Sequence, residues 1–217
     1  MTRPKMEINR GLFARQVYDS ASLTVPTTLF HRLRQEGTYD VRVHRGEQLA
    51  HRTTVRVSEQ GVPQIDVDPA AGGHKADGDG CCDGAVRGQE LLPGGALCFH
   101  VSEGDGGYDA VVERVGRDGS VDTVLDSSEA IPAGGVFAVT MVLPGEYGVM
   151  LNGEDKEWAR VRVGEPDPAS FRPAEGTVLT LGPRGLEPDQ ADLGFGQSVA
   201  IILEVDASIQ VAPLHRE

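Results

Sequence analysis

The stretch from Val136 to Val163 constrains the fold of this chain more than any other, because its residues predict three antiparallel strands joined by two tight turns. Pro144-Gly145 fixes one φ angle and leaves the next residue free, which suits the first turn. Asn152-Gly153 tolerates the left-handed conformation that a type I′ hairpin requires. In the last strand, Trp158 to Val163, the apolar residues Ala159, Val161 and Val163 alternate with arginines. We therefore expect one face of this strand to be buried and the other to be exposed.

A similar pattern occurs earlier in the chain. Gly37-Thr38-Tyr39 is followed by Val55-Arg56-Val57, just as Gly145-Glu146-Tyr147 is followed by Val161-Arg162-Val163. We interpret the two stretches as copies of one β unit. The alternative is an ordinary likeness between two sheet hairpins.

Composition favours the same fold class. The chain has 28 Gly and 13 Pro among 217 residues and only 5% aromatic residues, which is typical of many short strands and turns. The sequence predicts an all-β protein, specifically an antiparallel β-sandwich with a jelly-roll-like order of strands. Two small sandwiches of immunoglobulin-like or cupredoxin-like type are the alternative.

The distribution of residue types suggests four segments. Residues 1–11 form a basic N-terminal arm, and residues 12–69 form a first β unit. Residues 70–88 are rich in Gly and Asp and predict a long loop or a boundary between two parts, because they cannot bury enough apolar surface to form an element. Residues 89–217 form the main β-sandwich.

The residues Pro144, Gly145 and Tyr147 carry a P-G-x-Y pattern that resembles one common in cupredoxins. Cupredoxins are β-sandwiches in which Cys, His and Met of a late loop hold copper. No Cys-x-x-x-His-x-x-x-Met run follows Tyr147, and Met150 has no neighbouring ligands. The resemblance therefore implies an architecture and not the copper chemistry.

Thiol and imidazole groups form one candidate metal site, for zinc or copper. Cys98 and His100 stand two apart in a predicted strand and so share a face, and the other members belong to the Gly/Asp-rich loop. The candidate ligands are His74, Cys81, Cys82, Cys98 and His100. The spacings match no established ligand pattern, so we predict a protein without a cofactor, in which Cys98 is a core residue, and the zinc or copper site is the alternative.

No stretch matches a catalytic signature, whether a nucleophile elbow or a phosphate-binding loop. We therefore predict that the chain is not an enzyme.

Charge is distributed unevenly along the chain. The net charge is −13, which argues against general nucleic-acid binding. From Met1 to Arg56, however, ten Lys and Arg stand against five Asp and Glu. Basic and acidic surfaces of different subunits attract one another, so this asymmetry predicts self-association or binding to related structural subunits. The candidate assembly residues are Arg3, Lys5, Arg10, Arg15, Arg42 and Arg45.

These features together predict a structural or assembly subunit, such as a viral capsid, tube or decoration protein. The alternative is a monomeric immunoglobulin-like or cupredoxin-like binding module with an optional Cys/His metal site. The sequence has no apolar run long enough to span a membrane, and its start lacks the apolar core of a signal peptide. We expect cytoplasmic synthesis without a leader, with a virion as one destination.

Overall fold

A computed structural model describes residues 17–71, 88–154, 156–166 and 176–214 of the chain. Within these residues the protein consists of strands, turns and loops, and none of them is helical. The prediction of an all-β protein is confirmed. The strands, in chain order, are β1 (Tyr18–Asp19), β2 (Thr27–Leu33), β3 (Gly37–Arg45), β4 (Gln48–Val67), β5 (Gln89–His100), β6 (Asp109–Val115), β7 (Val121–Asp126), β8 (Val136–Thr140), β9 (Gly145–Leu151), β10 (Ala159–Val163), β11 (Thr177–Gly182), β12 (Gly185–Glu187), β13 (Gln190–Leu193), β14 (Ser198–Leu203) and β15 (Ile209–Pro213).

Period-two alternation determines which side chains are buried. In β10 the residues Ala159, Val161 and Val163 are buried, while Arg160 and Arg162 are exposed, as the sequence predicted. The same alternation in β2 and β3 directs apolar side chains inward from both strands. The buried residues form one continuous hydrophobic cluster to which both sheets contribute.

The strands form two sheets of mixed type. The small sheet has the order β1-β15-β9-β10-β13, and the large sheet has the order β12-β11-β14-β8-β2-β5-β4-β3-β6-β7. Three pairs are parallel, namely β10 with β13, β11 with β14 and β4 with β5. The prediction of purely antiparallel pairing is therefore wrong. A jelly roll is built from antiparallel neighbours, so these parallel pairs depart from the predicted jelly-roll-like order.

The pairing reveals a repeat. The order β7-β6-β3-β4-β5 in the large sheet corresponds to β1-β15-β9-β10-β13 in the small sheet, with three antiparallel pairs followed by one parallel pair in each. Likewise β2-β5-β4 corresponds to β8-β14-β11, with an antiparallel pair followed by a parallel one. We call β2 to β7 repeat 1, and β8 to β15 together with β1 repeat 2.

Residue-level register confirms that the two stretches singled out in the sequence are equivalent. Gly37 pairs with Val57 as Gly145 pairs with Val163. In repeat 1 the hydroxyl of Tyr39 donates a hydrogen bond to the carbonyl of Gln35 at 2.7 Å. In repeat 2 the hydroxyl of Tyr147 donates to the carbonyl of Leu143 at 3.0 Å, again four residues upstream. Both repeats therefore contain the same tyrosine corner, a feature of immunoglobulin-like sandwiches.

The repeats meet along the antiparallel pair of β2 and β8, which makes the large sheet continuous. Leu29 and Phe137 stand at the same distance before Gly37 and Gly145, and they pair with each other. A pseudo-twofold axis therefore passes through this pair. Both side chains are fully buried, so the junction belongs to the core.

The strands β4 and β5 flank the segment 70–88, which was predicted to be a loop or a boundary, and they pair with each other. The boundary between the two repeats falls between β7 and β8. Most of the predicted loop and the whole predicted arm, residues 1–11, lie outside the described residues.

Candidate functional site

Only two of the predicted metal ligands lie within the described residues. Cys98 is buried in β5, beside Asp66 of β4 in the parallel register. Burial, and then the neighbouring Asp66 carboxylate, raise the pKa of the Cys98 thiol to about 11, so it is protonated at neutral pH. His100 follows on the same side of the strand and is half-buried.

The remaining candidate ligands, His74, Cys81 and Cys82, lie outside the described residues. The described residues contain no group of three or more His, Cys, Asp and Glu side chains arranged to hold a metal ion. The zinc or copper site therefore stays a prediction. In the described part of the site, the Cys98 proton must leave before this sulfur can bind a metal.

The predicted assembly residues Arg42 and Arg45 lie on the outer face and at the end of β3. Arg42 contacts Glu113 at 2.5 Å and Asp40 at 3.5 Å. Arg45 is more exposed, with its guanidinium 3.8 Å from Asp105. The charge of Arg42 is thus largely compensated within the chain, while Arg45 retains access to solvent. The other assembly candidates, Arg3, Lys5, Arg10 and Arg15, lie outside the described residues.

A cleft lies at the tyrosine-corner end of each repeat. The repeat-1 cleft has a volume of about 1050 Å³, and the repeat-2 cleft has a volume of about 430 Å³. They occupy corresponding places, since Gly37 and Val57 line the first and Gly145 and Val163 line the second. Charged side chains line the repeat-1 cleft: Glu36, Arg56, Glu59, Glu90, Arg114 and Arg117.

The two clefts differ in how their shared arginine is neutralised. In repeat 2, Arg162 of β10 lies opposite Glu146 of β9, and its Nη2 atom is 3.3 Å from the Glu146 carboxylate. In repeat 1 the corresponding Arg56 lies opposite Thr38, which carries no charge. Among the described residues no carboxylate lies within ion-pair distance of the exposed Arg56.

Two further arginines complete the repeat-1 cleft. Arg114 of β6 donates one hydrogen bond to the side chain of Gln35 at 2.5 Å and another to the carbonyl of Glu36 at 3.2 Å. These bonds hold its guanidinium at the cleft without neutralising it. Arg117 is exposed and forms no ion pair with any described residue. The nearby Glu90 accepts a hydrogen bond from Ser58 at 3.1 Å.

A second surface is notable because it carries few charged side chains. The outer face of the large sheet crosses both repeats along β11, β14, β8, β2 and the end of β5. On it, Val178 is 51% exposed and Ile202 is 38% exposed. Arg32 of β2 is also exposed on this face, where it pairs with Ala96 of β5. The other residues of this sparsely charged face are Thr28, Phe30, Cys98, His100, Val136, Ala138, Thr140, Val178, Thr180, Ser198, Ala200 and Ile202.

Sequence reasoning missed the cleft arginines, although part of the signal was visible. The aligned stretches differ at one informative position, where Thr38 stands in place of Glu146. That difference predicts a free charge on Arg56 once the cross-strand register is known. Arg114 and Arg117 belong to a different hairpin, and no local pattern connects them to Arg56.

Comparison with protein-family models, with curated proteins and with solved structures found no match. In the described part of the chain, no helix is long and apolar enough to pass through a membrane.

Proposed function

We propose that this chain is a non-enzymatic structural subunit that associates with copies of itself, or with related subunits, through surfaces of complementary charge. The observation that carries this proposal is the repeat-1 cleft, where Arg56, Arg114 and Arg117 lack carboxylate partners among the described residues. The whole chain has 33 Asp and Glu against 20 Lys and Arg. Each copy therefore offers many carboxylates to the free guanidinium groups of another copy.

We further propose that each repeat is a small two-layer sandwich of immunoglobulin-like or cupredoxin-like type, in place of a single jelly roll. The matching tyrosine corners support this architecture. The two sandwiches, joined through β2 and β8, make one building block. The sparsely charged face of the large sheet offers a second contact surface, because covering most of it with protein requires little desolvation of charged groups. A viral coat, tube or decoration, assembled from subunits made in the cytoplasm, is the setting we propose for such a block.

Sedimentation velocity over a range of protein concentrations tests this function. We expect species larger than the monomer at low ionic strength, and their proportion should fall in about 1 M salt, where the Debye length is only about 3 Å. A single monomeric species at every concentration and ionic strength would exclude self-association. Association with related subunits would then be tested by the same measurement on mixtures of this chain with such a subunit.

The second candidate is a monomeric binding module that holds a metal through the predicted Cys/His group. The position of Cys98 and His100 on one side of β5 favours it. Elemental analysis of protein purified without added metal is the test. A bound metal below about a tenth of an equivalent would remove this candidate, since a folded site of thiolate and imidazole ligands binds zinc tightly.

A further inference from the structure

We infer that the repeat-1 cleft is a carboxylate-binding site, and that the carboxylate comes from an acidic side chain of a second copy of this chain. The incoming group takes the place that Glu146 fills within repeat 2. The choice of a second copy as the source rests on the proposed assembly function. The carboxylate chemistry rests on the cleft alone.

The two repeats act as an internal comparison. Both present an arginine on the outer face of the corresponding strand, Arg56 in β4 and Arg162 in β10. The cross-strand neighbour of Arg162 is Glu146, which supplies a carboxylate from the same chain. The neighbour of Arg56 is Thr38, which is exposed and supplies none. Among the described residues, repeat 1 therefore has the guanidinium but no carboxylate at the position that Glu146 occupies in repeat 2.

The geometry of the cleft suits a carboxylate. A guanidinium group presents a planar set of donors that matches the two oxygens of a carboxylate. Arg114 is held by Gln35 and by the carbonyl of Glu36, so less conformational entropy is lost when it engages a ligand. Arg117 adds a third positive charge at the rim.

The acidic residues of the cleft restrict what it accepts. Glu36, Glu59 and Glu90 line the same cleft, so its lining carries as many negative as positive side chains. Glu90 lies beside Arg56 in the parallel register, but its carboxylate accepts a hydrogen bond from Ser58. A group with a single negative charge fits among these residues with less repulsion than a polyanion does. This favours a side-chain carboxylate over a phosphate.

The source is a second copy because carboxylates are what this chain has in excess. With a net charge of −13, each copy of the chain carries more acidic than basic side chains. The repeat-1 cleft is a local exception, because acidic and basic side chains line it in equal number. An acidic surface that meets this cleft brings opposite charges together and gives the contact a direction.

The experiment has two arms and uses the full chain. In the first arm, propionate, a monocarboxylate that represents the end of a Glu side chain, is titrated into ¹⁵N-labelled protein, and the side-chain Nε–Hε resonance of Arg56 is followed. In the second arm, association is measured by sedimentation velocity. Thr38→Glu installs the carboxylate that repeat 2 already contains, at an exposed position where the fold of repeat 2 accommodates it. Gln190→Glu makes the same charge change at an exposed position of β13, outside the repeat-1 cleft, and serves as the matched control.

We expect propionate to shift the Arg56 resonance in the wild type and in Gln190→Glu, and Thr38→Glu to weaken this binding by about tenfold. Association should weaken in Thr38→Glu and persist in Gln190→Glu. The reciprocal variant Glu146→Thr should give Arg162 a new response to propionate.

The outcomes separate the two proposals. An Arg56 resonance that propionate does not move overturns the carboxylate site, whatever the chain does in assembly. Propionate binding that Thr38→Glu abolishes, with association unchanged, overturns the second copy as the source and leaves the assembly function standing on other surfaces. A chain that stays monomeric overturns both self-association and the second copy as the source, while the propionate arm still decides the chemistry.

Discussion

Among the described residues, one histidine belongs to the buried core. His31 of β2 is only 7% exposed, and no described residue forms a hydrogen bond with its Nδ1 atom. Burial lowers its pKa from 6.5 to about 4. The corresponding position of repeat 2 is Val139, which is fully buried. Repeat 1 therefore places an ionisable group where repeat 2 has an apolar one.

We predict that acid destabilises the protein through His31. Because the folded-state pKa of His31 is below the unfolded value, this histidine costs no stability above about pH 6.5, and the free energy of unfolding falls as the pH is lowered toward 4. A pKa shift of this size corresponds to a decrease of about 3 kcal/mol in the free energy of unfolding. His31→Val should flatten the fall between these pH values. Burial also lowers the pKa of His51, so His31→Val should still lose some of its free energy of unfolding in acid.

Urea unfolding of the wild type and of His31→Val at pH 7 and at pH 4.5 measures this effect. His100→Gln, at a half-exposed histidine, is the control. Equal acid sensitivity in the wild type and in His31→Val would contradict the prediction.

The tyrosines offer a second test at the level of single residues. Tyr39→Phe and Tyr147→Phe each remove a hydroxyl that donates to a backbone carbonyl. Each should lower the free energy of unfolding by about 1 kcal/mol, the usual net value of such a bond. Tyr18 is the opposite case, because its buried hydroxyl has no hydrogen-bond partner in the part of the chain that the structure describes. Tyr18→Phe should leave stability unchanged or increase it, and chemical denaturation of the three variants gives the comparison.

At the level of elements, the irregular pairing of β4 with β5 distinguishes repeat 1 from repeat 2. β4 and β5 pair in parallel, with register shifts between Val57 and Val62 and again between Val62 and Gln64. Irregularities of this kind bend a strand locally. In repeat 2 the corresponding paths are broken into separate strands, β10 and β11 on one side and β13 and β14 on the other. At the bend in repeat 1 the two backbones are close together, and a Cβ atom on Gly61 would collide with the backbone of Leu91 and Leu92.

We predict that Gly61→Ala is strongly destabilising, by about 3 kcal/mol or more, since overpacking against backbone cannot be relieved by rotating a side chain. Gly88→Ala is the matched control, because its Cβ would meet only a backbone oxygen at an ordinary distance of 3.8 Å. Thermal unfolding of both variants provides the measurement. A Gly61→Ala protein as stable as Gly88→Ala would show that the two strands are not in close contact at the bend.

Local chemistry was enough to predict many of these elements. Asn152 and Gly153 have φ angles of 54° and 69°, as the hairpin turn requires. Alternation predicted the buried face of β10, and the paired Gly-x-Tyr stretches predicted the repeat. Parallel pairs such as β4 with β5 were not predicted, because they join residues far apart in the sequence and leave no turn between them. The cleft depended on the same long-range information, since Arg114 reaches it from β6.

At the level of the whole molecule, the two repeats share one hydrophobic core and one continuous sheet. Leu29 and Phe137 lie at the centre of that junction. A boundary made of buried apolar contacts and backbone hydrogen bonds couples the halves energetically. Neither repeat is expected to unfold while the other stays intact.

We therefore predict one cooperative unfolding transition. The single tryptophan, Trp158, belongs to repeat 2, so its fluorescence reports that half, while far-ultraviolet circular dichroism reports both. The two signals should share one midpoint. Phe137→Ala should lower both midpoints together, at a cost of about 3–5 kcal/mol. Val178→Ala, at an exposed position, should leave them in place. A fluorescence transition that precedes the circular dichroism transition would mean that the halves are independent.

The pseudo-twofold axis also bears on how such a chain arises. Each half contributes the same edge to the seam, β2 from one and β8 from the other, so a half on its own would present an unsatisfied strand that an identical half can satisfy. Tandem duplication of a gene for a self-pairing half, with the two copies joined in one reading frame, yields this arrangement directly. Fusion makes the pairing independent of concentration, and it allows the two formerly identical halves to acquire separate roles.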